Sequence, residues 1–229
     1  AYAVTSIPPR IVPVSELPAD KRTPAARHGQ KILYFGVPPS VAEADLHRTY
    51  AGLHTYLTRA LHMDVRLVTG ATYGEVGHAV EKAHIDAALL PAGAAYALIK
   101  RDRGVNVLAM ARAVVKGETT YSGSIVTLDG GPAAVKDLVG KRVALTSLDS
   151  LSGYLAPVAV MRWQGVRVTD LAEVVMAGNH SRGLALLLSG RVDAAAAFDG
   201  AVARFHEQHP TVKFKELGSV GDLPTDVVL

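Results

Sequence analysis

Short apolar runs alternate with segments of helical spacing from residue 31 onwards, and this alternation restricts the fold more than any other feature of the chain. Residues 31–37 form a compact apolar run that Pro38 and Pro39 close, which is typical of a buried parallel strand. Residues 43–62 then place leucines and a tyrosine at the spacing of one helix face. Repeated strand–helix alternation with short connections predicts an α/β fold with mostly parallel sheets flanked by helices.

The alternation occurs in two successive sets, which predicts two lobes. Residues 31–110 together with residues 221–229 are predicted to form the first lobe, and residues 111–220 the second. Ligands of such sheets lie beyond the carboxyl ends of the strands, and a cleft between hinged lobes closes around its ligand. We therefore expect a two-lobed protein with a ligand cleft between the lobes.

Residues 1–30 differ from the rest of the chain, because five of the twelve prolines fall within the first 24 positions. A segment of this kind is predicted to be an extended arm. It is either a tether between a membrane anchor and the domain or a strap on the domain surface.

The composition excludes several classes of function. With no cysteine, the 229-residue chain has no disulfide, zinc–thiolate site or cysteine nucleophile. The net charge of +3 is spread without a basic block, which argues against a nucleic-acid partner, and the sequence lacks a run of about 18 apolar residues that would span a membrane. His47, His54 and His62 lack the carboxylate of a metal motif, so we expect neither a metal nor a cofactor.

One loop has the composition of an anion site. A predicted strand at residues 141–145 leads through Ser150, Ser152 and Gly153 into a predicted helix over residues 154–163. The first N–H groups of a helix lack internal partners and carry partial positive charge. The serines add hydroxyl donors, and the glycine permits close approach of a ligand. Capping of the helix by Ser152 is the structural alternative.

Residues 150–157, which read S-L-S-G-Y-L-A-P, resemble the S-x-S-G-[YF]-L-x-P signature of the phosphonate/phosphite/phosphate substrate-binding proteins of ABC transporters. Residues 85–88, 177–180, 190–196 and 223–226 resemble further motifs of that family, in the same order. The resemblance covers about residues 31–229. It implies a two-lobed type II periplasmic-binding-protein fold and a binding protein rather than an enzyme.

The resemblance also implies which residues bind the ligand. The oxyanion is expected on the turn formed by Ser150, Leu151, Ser152 and Gly153. An acid beside this anion can accept a hydrogen bond from a protonated oxyanion or pair with the amino group of an aminophosphonate. The other predicted ligand-binding residues come from the ends of other strands and from the returning crossing: Tyr73, Tyr121, His180, Asp199 and Asp226.

Each of these residues also has a structural interpretation. His180 would be a surface histidine at a helix start, Asp199 a helix N-cap and Asp226 a turn residue. The two tyrosines would pack at the rim of the lobes.

The chain departs from the family pattern in three places. Leu151 takes the position of a frequent family hydroxyl, and residues 90–93 (L-P-A-G) replace an aromatic–glycine pair. The chain also stops shortly after Asp226, where family members continue with helices. We therefore expect that the first lobe is truncated at its C-terminal end or continues into another segment.

The predicted function is an extracytoplasmic, periplasmic solute-binding protein for a small phosphorus oxyanion, delivered to the permease of an ABC importer. We expect a monomer in isolation, with or without a membrane tether. One alternative is a ligand-binding sensor domain of a membrane receptor. Others are a binder of a sulfonate, a pyrimidine or an amino acid, and an enzyme on this fold that pairs His180 with Asp199.

Overall fold

The computed structural model describes residues 11–17, 32–39, 43–101, 111–112 and 117–229, which form two β-sheets flanked by helices. The strands of the first sheet are β1 (Ile11–Pro13), β2 (Ile32–Gly36), β3 (Asp64–Thr69), β4 (Ala87–Leu90), β5 (Ala111–Arg112) and β11 (Val227–Val228). Its helices are α1 (Glu43–Leu61), α2 (Tyr73–Glu81) and α3 (Ala92–Arg101). The strand order is β1–β3–β2–β4–β11–β5.

The second sheet comes entirely from the later part of the chain. Its strands are β6 (Thr120–Leu128), β7 (Arg142–Leu145), β8 (Glu173–Met176), β9 (Ala194–Phe198) and β10 (Phe214–Pro224). Its helices are α4 (Ala156–Trp163), α5 (His180–Leu188) and α6 (Asp199–Gln208). The strand order is β10–β6–β9–β7–β8. The predicted α/β fold with two flanked sheets is confirmed.

Strand direction changes at the side of each sheet that carries the connections between the sheets. In the first sheet β1 to β4 pair in parallel, whereas β11 pairs antiparallel with β4 and β5. In the second sheet β7 pairs in parallel with β8 and β9, whereas β6 pairs antiparallel with β9 and β10. The expected mostly parallel arrangement therefore describes the first sheet, and the second sheet is evenly mixed.

Both faces of each sheet are buried by helices, which explains the near-continuous apolar strands. On the first sheet α1 packs one face through Leu46, while Val76 of α2 and Leu98 of α3 pack the other. On the second sheet Met161 of α4 covers one face, and Leu184 of α5 covers the other with Phe205 of α6.

The predicted arm over residues 1–30 is described only at residues 11–17. There β1 adds an edge strand in parallel with β3, and a 3₁₀ turn at Val14–Glu16 follows. This part of the arm lies on the first sheet as a strap would. No helix within the described ranges is long and apolar enough to cross a membrane.

The two sheets are joined where β6 begins and β10 ends. The carbonyl oxygen of Thr119 accepts two hydrogen bonds from Thr225, one from the backbone N–H and one from the hydroxyl, both of 3.0 Å. The chain then enters β11, where Leu229 and Ala88 exchange two backbone hydrogen bonds. The chain thus passes from the second sheet back to the first at residues 225–226. The predicted lobe boundaries at residues 110 and 220 stay predictions.

Candidate functional site

The serine turn, residues 150–153, begins the helical segment that leads into α4. Ser150 is the N-cap, and its hydroxyl oxygen accepts a 3.1 Å hydrogen bond from the N–H of Gly153. Leu151–Leu155 form one turn of π-helix, because the N–H of Leu155 bonds the carbonyl of Ser150. Pro157 then occupies the first turn of α4, where a missing N–H costs nothing. The helix thus begins earlier than the sequence predicts.

Ser152 does not cap the helix, so the structural interpretation of this residue was wrong. Ser150 takes that role, and the buried hydroxyl of Ser152 accepts a 3.3 Å hydrogen bond from the hydroxyl of Tyr121. Tyr121 lies near the start of β6, so this contact joins that end of the strand to the serine turn. The side chain of Leu151 is half-buried at the first position of the turn.

Gly153 has no room for a side chain. A Cβ added there would lie 1.9 Å from the hydroxyl oxygen of Thr146 and 2.8 Å from that of Ser150. Its carbonyl accepts a 3.0 Å hydrogen bond from the N–H of Thr146. The turn is therefore folded directly onto the end of β7.

His180 is the first residue of α5 and is buried, with 3 % of its surface exposed. The surface interpretation of this histidine was therefore wrong. Asn179 caps the helix instead, accepting a 2.9 Å bond from the N–H of Arg182. Burial lowers the pKa of His180 to about 4, and a hydrogen bond to the backbone of Ala196 opposes that shift.

The imidazole of His180 is consequently neutral at pH 7, and one of its nitrogens has no hydrogen-bond partner among the described residues. Nδ1 is buried and has no hydrogen-bond partner among the described residues. With the other nitrogen donating to the carbonyl of Ala196, Nδ1 is the acceptor of the neutral ring.

Asp199 follows β9 as the first residue of α6. It does not cap this helix, since Phe198 is the N-cap residue. Its carboxylate accepts a 3.2 Å hydrogen bond from the N–H of Ser122 on β6. The interpretation of Asp199 as an N-cap was therefore wrong.

Phe198 connects the predicted site residues of the second sheet. Its ring meets the ring of His180 edge-on at a centroid distance of 5.0 Å and that of Tyr121 at 6.0 Å. The guanidinium of Arg204 lies 5.3 Å from the centroid of the same ring. Phe198 is therefore the side chain that contacts His180, Tyr121 and Arg204 together.

Tyr73 and Asp226 approach the same region from the first sheet and the connection between the sheets. Tyr73 begins α2 and is 2 % exposed. Burial raises the pKa of the Tyr73 hydroxyl, and the nearby acidic groups of Asp226, Tyr121 and Asp149 raise it further. Burial also raises the pKa of Asp226 to about 6.

Tyr121 shares the influence of Asp226. Burial raises the pKa of its hydroxyl, and the negative charges of Asp226 and Asp199 add to the effect, while the contact with Ser152 opposes it. Two tyrosines and two carboxylates thus lie close enough to influence one another electrostatically.

The first turns of α2 and α3 lie against the serine turn. A Cβ added to Gly93 of α3 would lie 2.7 Å from the carbonyl oxygen of Asp149, and one added to Gly74 of α2 would lie 3.7 Å from a carboxylate oxygen of Asp149. Leu90, Pro91 and Ala92 lead into this contact, at the place where the chain departs from the aromatic–glycine pair of the family pattern. The small residues permit the two sheets to approach closely here.

A narrow groove of about 150 Å³ opens on the other side of His180, between α1 and the pair α5–α6. Both walls of the groove carry acidic and basic side chains: Asp45 and Arg48 on α1, and Arg204 and Glu207 on α6. Within the described part of the chain, no cluster of three histidine or acidic side chains could hold a metal ion.

The structure thus brings the predicted residues into one region between the sheets. The serine turn, Tyr121, His180 and Asp199 lie at one edge of the second sheet, and Tyr73 and Asp226 face them. Sequence reasoning missed Phe198, Asp149, Thr146 and Ser147. All four adjoin predicted residues at strand ends, which is the signal that could have found them.

Comparison with known proteins identifies the family. The family model described as "ABC transporter, phosphonate, periplasmic substrate-binding protein" matches residues 35–229. No curated protein sequence matches the chain.

Solved structures show the same fold. A binding-protein component of an ABC phosphonate transporter from Pseudomonas aeruginosa superposes with a TM-score of 0.77 at 16 % identity, over 87 % of this chain and 68 % of that one. PhnD1 from Prochlorococcus marinus, in complex with methylphosphonate, superposes with a TM-score of 0.75 at 17 % identity, over 86 % of this chain and 75 % of that one. XAC2383 from Xanthomonas citri superposes with a TM-score of 0.63 at 18 % identity, over 87 % of this chain and 77 % of that one.

The family model covers most of the chain and includes every predicted site residue. The chain belongs to the phosphonate-binding family of periplasmic substrate-binding proteins of ABC transporters.

Proposed function

We propose that this chain is an extracytoplasmic receptor, without catalytic activity, for a small phosphorus oxyanion: a phosphonate, phosphite or phosphate. The observation that carries the proposal is the serine turn, whose helix start and buried Ser152 are tied to Tyr121 in a region enclosed by both sheets. Converging N–H and O–H dipoles bind oxyanions in such sites without a direct cation.

The ligand-binding residues are the nine that the sequence predicts. The oxyanion lies on the turn from Ser150 to Gly153, and Leu151 adds an apolar contact. The remaining five residues determine its orientation: Tyr73, Tyr121, His180, Asp199 and Asp226.

The acceptors in this region favour a ligand that carries a proton or an amino group. Nδ1 of the neutral His180 accepts a hydrogen bond, and so do the carboxylates of Asp199 and Asp226. A protonated phosphorus oxyanion supplies a P–OH donor, and 2-aminoethylphosphonate supplies an ammonium group. A fully ionised oxyanion without either meets repulsion from the carboxylates.

The ligand class is tested by isothermal titration calorimetry with phosphate, phosphite, methylphosphonate, 2-aminoethylphosphonate and methanesulfonate. We expect binding of at least one phosphorus ligand and weaker binding of the sulfonate, which carries no proton near pH 7. Failure of all four phosphorus ligands to bind would refute the proposal.

The role of the serine turn is tested by Ser152→Ala. Loss of a buried donor should weaken binding by about 1–3 kcal/mol. Ser189→Ala is the matched control, because that exposed hydroxyl bonds a helix carbonyl. A binder of an amino acid or a pyrimidine would not require the hydroxyl of Ser152.

The biological role is delivery of the ligand to the permease of an ABC importer, with or without a membrane tether. A sensor domain of a membrane receptor would use the same site and differ only in the protein that recognises the closed form. Stimulation of ATP hydrolysis by a phosphonate importer in vesicles, dependent on the ligand-loaded chain, distinguishes the importer role from the sensor role.

A further inference from the structure

Two hydroxyl groups beside the serine turn are buried without a partner. Thr146 is 1 % exposed and Ser147 is 9 % exposed, and neither hydroxyl oxygen has a hydrogen-bond partner among the described residues. Nδ1 of His180 shares this property at the same sheet edge. Native proteins leave few buried polar groups unpaired, since each costs free energy. Three such groups at one edge indicate that something absent from the chain itself pairs with them.

The backbone holds Thr146 firmly. Its N–H donates to the carbonyl of Gly153 and its own carbonyl accepts from the N–H of Gly178, both at 3.0 Å. The hydroxyl lies against the Cα of Gly153, where an added Cβ would contact both this oxygen and that of Ser150. The hydroxyls of Thr146 and Ser150 therefore flank the same side of Gly153, within the turn that binds the oxyanion.

Ser147 is joined to the serine turn through its backbone. Its carbonyl accepts a 2.9 Å hydrogen bond from the N–H of Ser150, which fixes the loop between β7 and the turn. Its hydroxyl oxygen is buried and has no hydrogen-bond partner among the described residues.

We propose that Thr146 and Ser147 are ligand-binding residues whose hydroxyls donate to the bound oxyanion, in place of the hydroxyl that position 151 lacks. This inference rests on the proposed function. Leu151 cannot donate to an oxyanion, and an oxyanion has several oxygens that each need donors. The unpaired hydroxyls of Thr146 and Ser147 lie beside this turn and supply such donors.

The test measures methylphosphonate and phosphate binding to Thr146→Val and Ser147→Ala by isothermal titration calorimetry. Each substitution should weaken the binding of the better ligand about 10-fold, within the range for one buried donor. The melting temperature of the ligand-free protein should stay the same or rise, because the removed hydroxyl has no partner in that state.

The matched control is Thr127→Val. The hydroxyl of Thr127 is also 1 % exposed, but it donates a 2.8 Å bond to the carbonyl of Asp193. Its loss should lower the melting temperature and leave the affinity unchanged. Thr146→Val should instead weaken binding and leave the melting temperature unchanged or higher. This difference separates a hydroxyl that donates to the ligand from one that stabilises the fold.

A second variant keeps the test decisive if Thr146→Val folds poorly. The double variant that combines Ser147→Ala with Leu151→Thr restores a hydroxyl within the turn. It should recover most of the affinity that Ser147→Ala alone loses. Unchanged affinity in both Thr146→Val and Ser147→Ala, with the wild-type chain binding its ligand, would overturn this inference alone. Absence of phosphorus-ligand binding by the wild-type chain would overturn the proposed function as well.

Discussion

The hydroxyl of Tyr121 donates a 3.3 Å hydrogen bond to the hydroxyl oxygen of Ser152, a residue 31 positions further along the chain. The contact ties β6, which enters the second sheet from the connection, to the first turn before α4. This contact is therefore a direct physical link between the connection of the sheets and the serine turn.

Tyr121→Phe removes this hydrogen bond and keeps the ring contact with Phe198. We expect the free energy of unfolding to fall by about 0.5–1.5 kcal/mol, and methylphosphonate affinity to fall with it because the serine turn loses its anchor. Urea unfolding and calorimetry measure the two effects. Tyr96→Phe, which alters a side chain that is 66 % exposed, should change neither. Equal effects of the two substitutions would show that the contact is unimportant.

Gly153→Ala should disrupt the serine turn, because the added Cβ has no room beside Thr146 and Ser150. Overpacking of this kind costs typically about 1–3 kcal/mol of stability, and ligand binding should be lost. Gly52→Ala is the control. It lies in α1 with no atom within 4 Å of an added Cβ, so it should stabilise the protein by about 0.5–1 kcal/mol. Retained binding by a stable Gly153→Ala variant contradicts the geometry described above.

Gly93→Ala tests the contact between the sheets. The new Cβ would collide with the carbonyl of Asp149, so the two sheets should remain further apart. We expect a larger radius of gyration in small-angle X-ray scattering with ligand present, and weaker binding. Gly77→Ala in α2 adds a methyl group where no atom lies within 4 Å, and should leave both measurements as in the wild type.

Asp226→Asn should reveal the raised pKa of this carboxyl through the pH dependence of stability. The folded state holds the proton up to about pH 6, whereas the unfolded chain releases it near pH 3.9. The folded state binds more protons between these values, so ionisation of Asp226 destabilises the folded chain progressively as the pH rises.

The Asn variant should therefore match the wild type near pH 4 and exceed its stability at pH 7 by on the order of 1–3 kcal/mol. Thermal melts across this range measure the difference. Asp222→Asn, which removes an exposed carboxylate from β10, is the control and should not reproduce this gain. A difference that is constant with pH would contradict the assignment.

His180 should remain neutral from pH 5 to pH 8, because burial lowers its pKa to about 4. Its ring resonance, assigned by comparison with His180→Gln, should not titrate in NMR spectra over that range. The unfolded chain binds a proton near pH 6.5, so this residue should lower stability as the pH falls from 6.5 towards 4. A titration midpoint above pH 5.5 would show that the ring is not buried as described.

Local patterns in the sequence predict most of the elements of this fold. We find β2 within the apolar run at residues 31–37 and β7 within the predicted strand at residues 141–145. Such strands are predictable because the pattern of apolar residues is a local property of the sequence. A helix start at the serine turn is also predictable, since serine is a favoured residue immediately before a helix, but which serine caps the helix is not.

The parts that the sequence does not predict depend on distant partners. Ser150 rather than Ser152 caps the turn because Tyr121 reaches Ser152 across the sheet. The burial of His180 follows from its packing against Phe198, and that of Thr146 from the turn folding back onto β7. None of these contacts leaves a periodic signal, and each is fixed by the tertiary arrangement.

The pairing of Thr119 with Thr225 has a mechanical consequence. Both passages of the chain between the sheets meet at one carbonyl oxygen, so they act as a single two-stranded joint rather than as two separate linkers. A joint of two hydrogen-bonded strands is stiffer than two separate linkers, so relative motion of the sheets should be concentrated next to residues 119 and 225. Any such motion would change the distance between Gly93 of α3 and the carbonyl oxygen of Asp149, so the crossing influences how closely the two sheets approach each other.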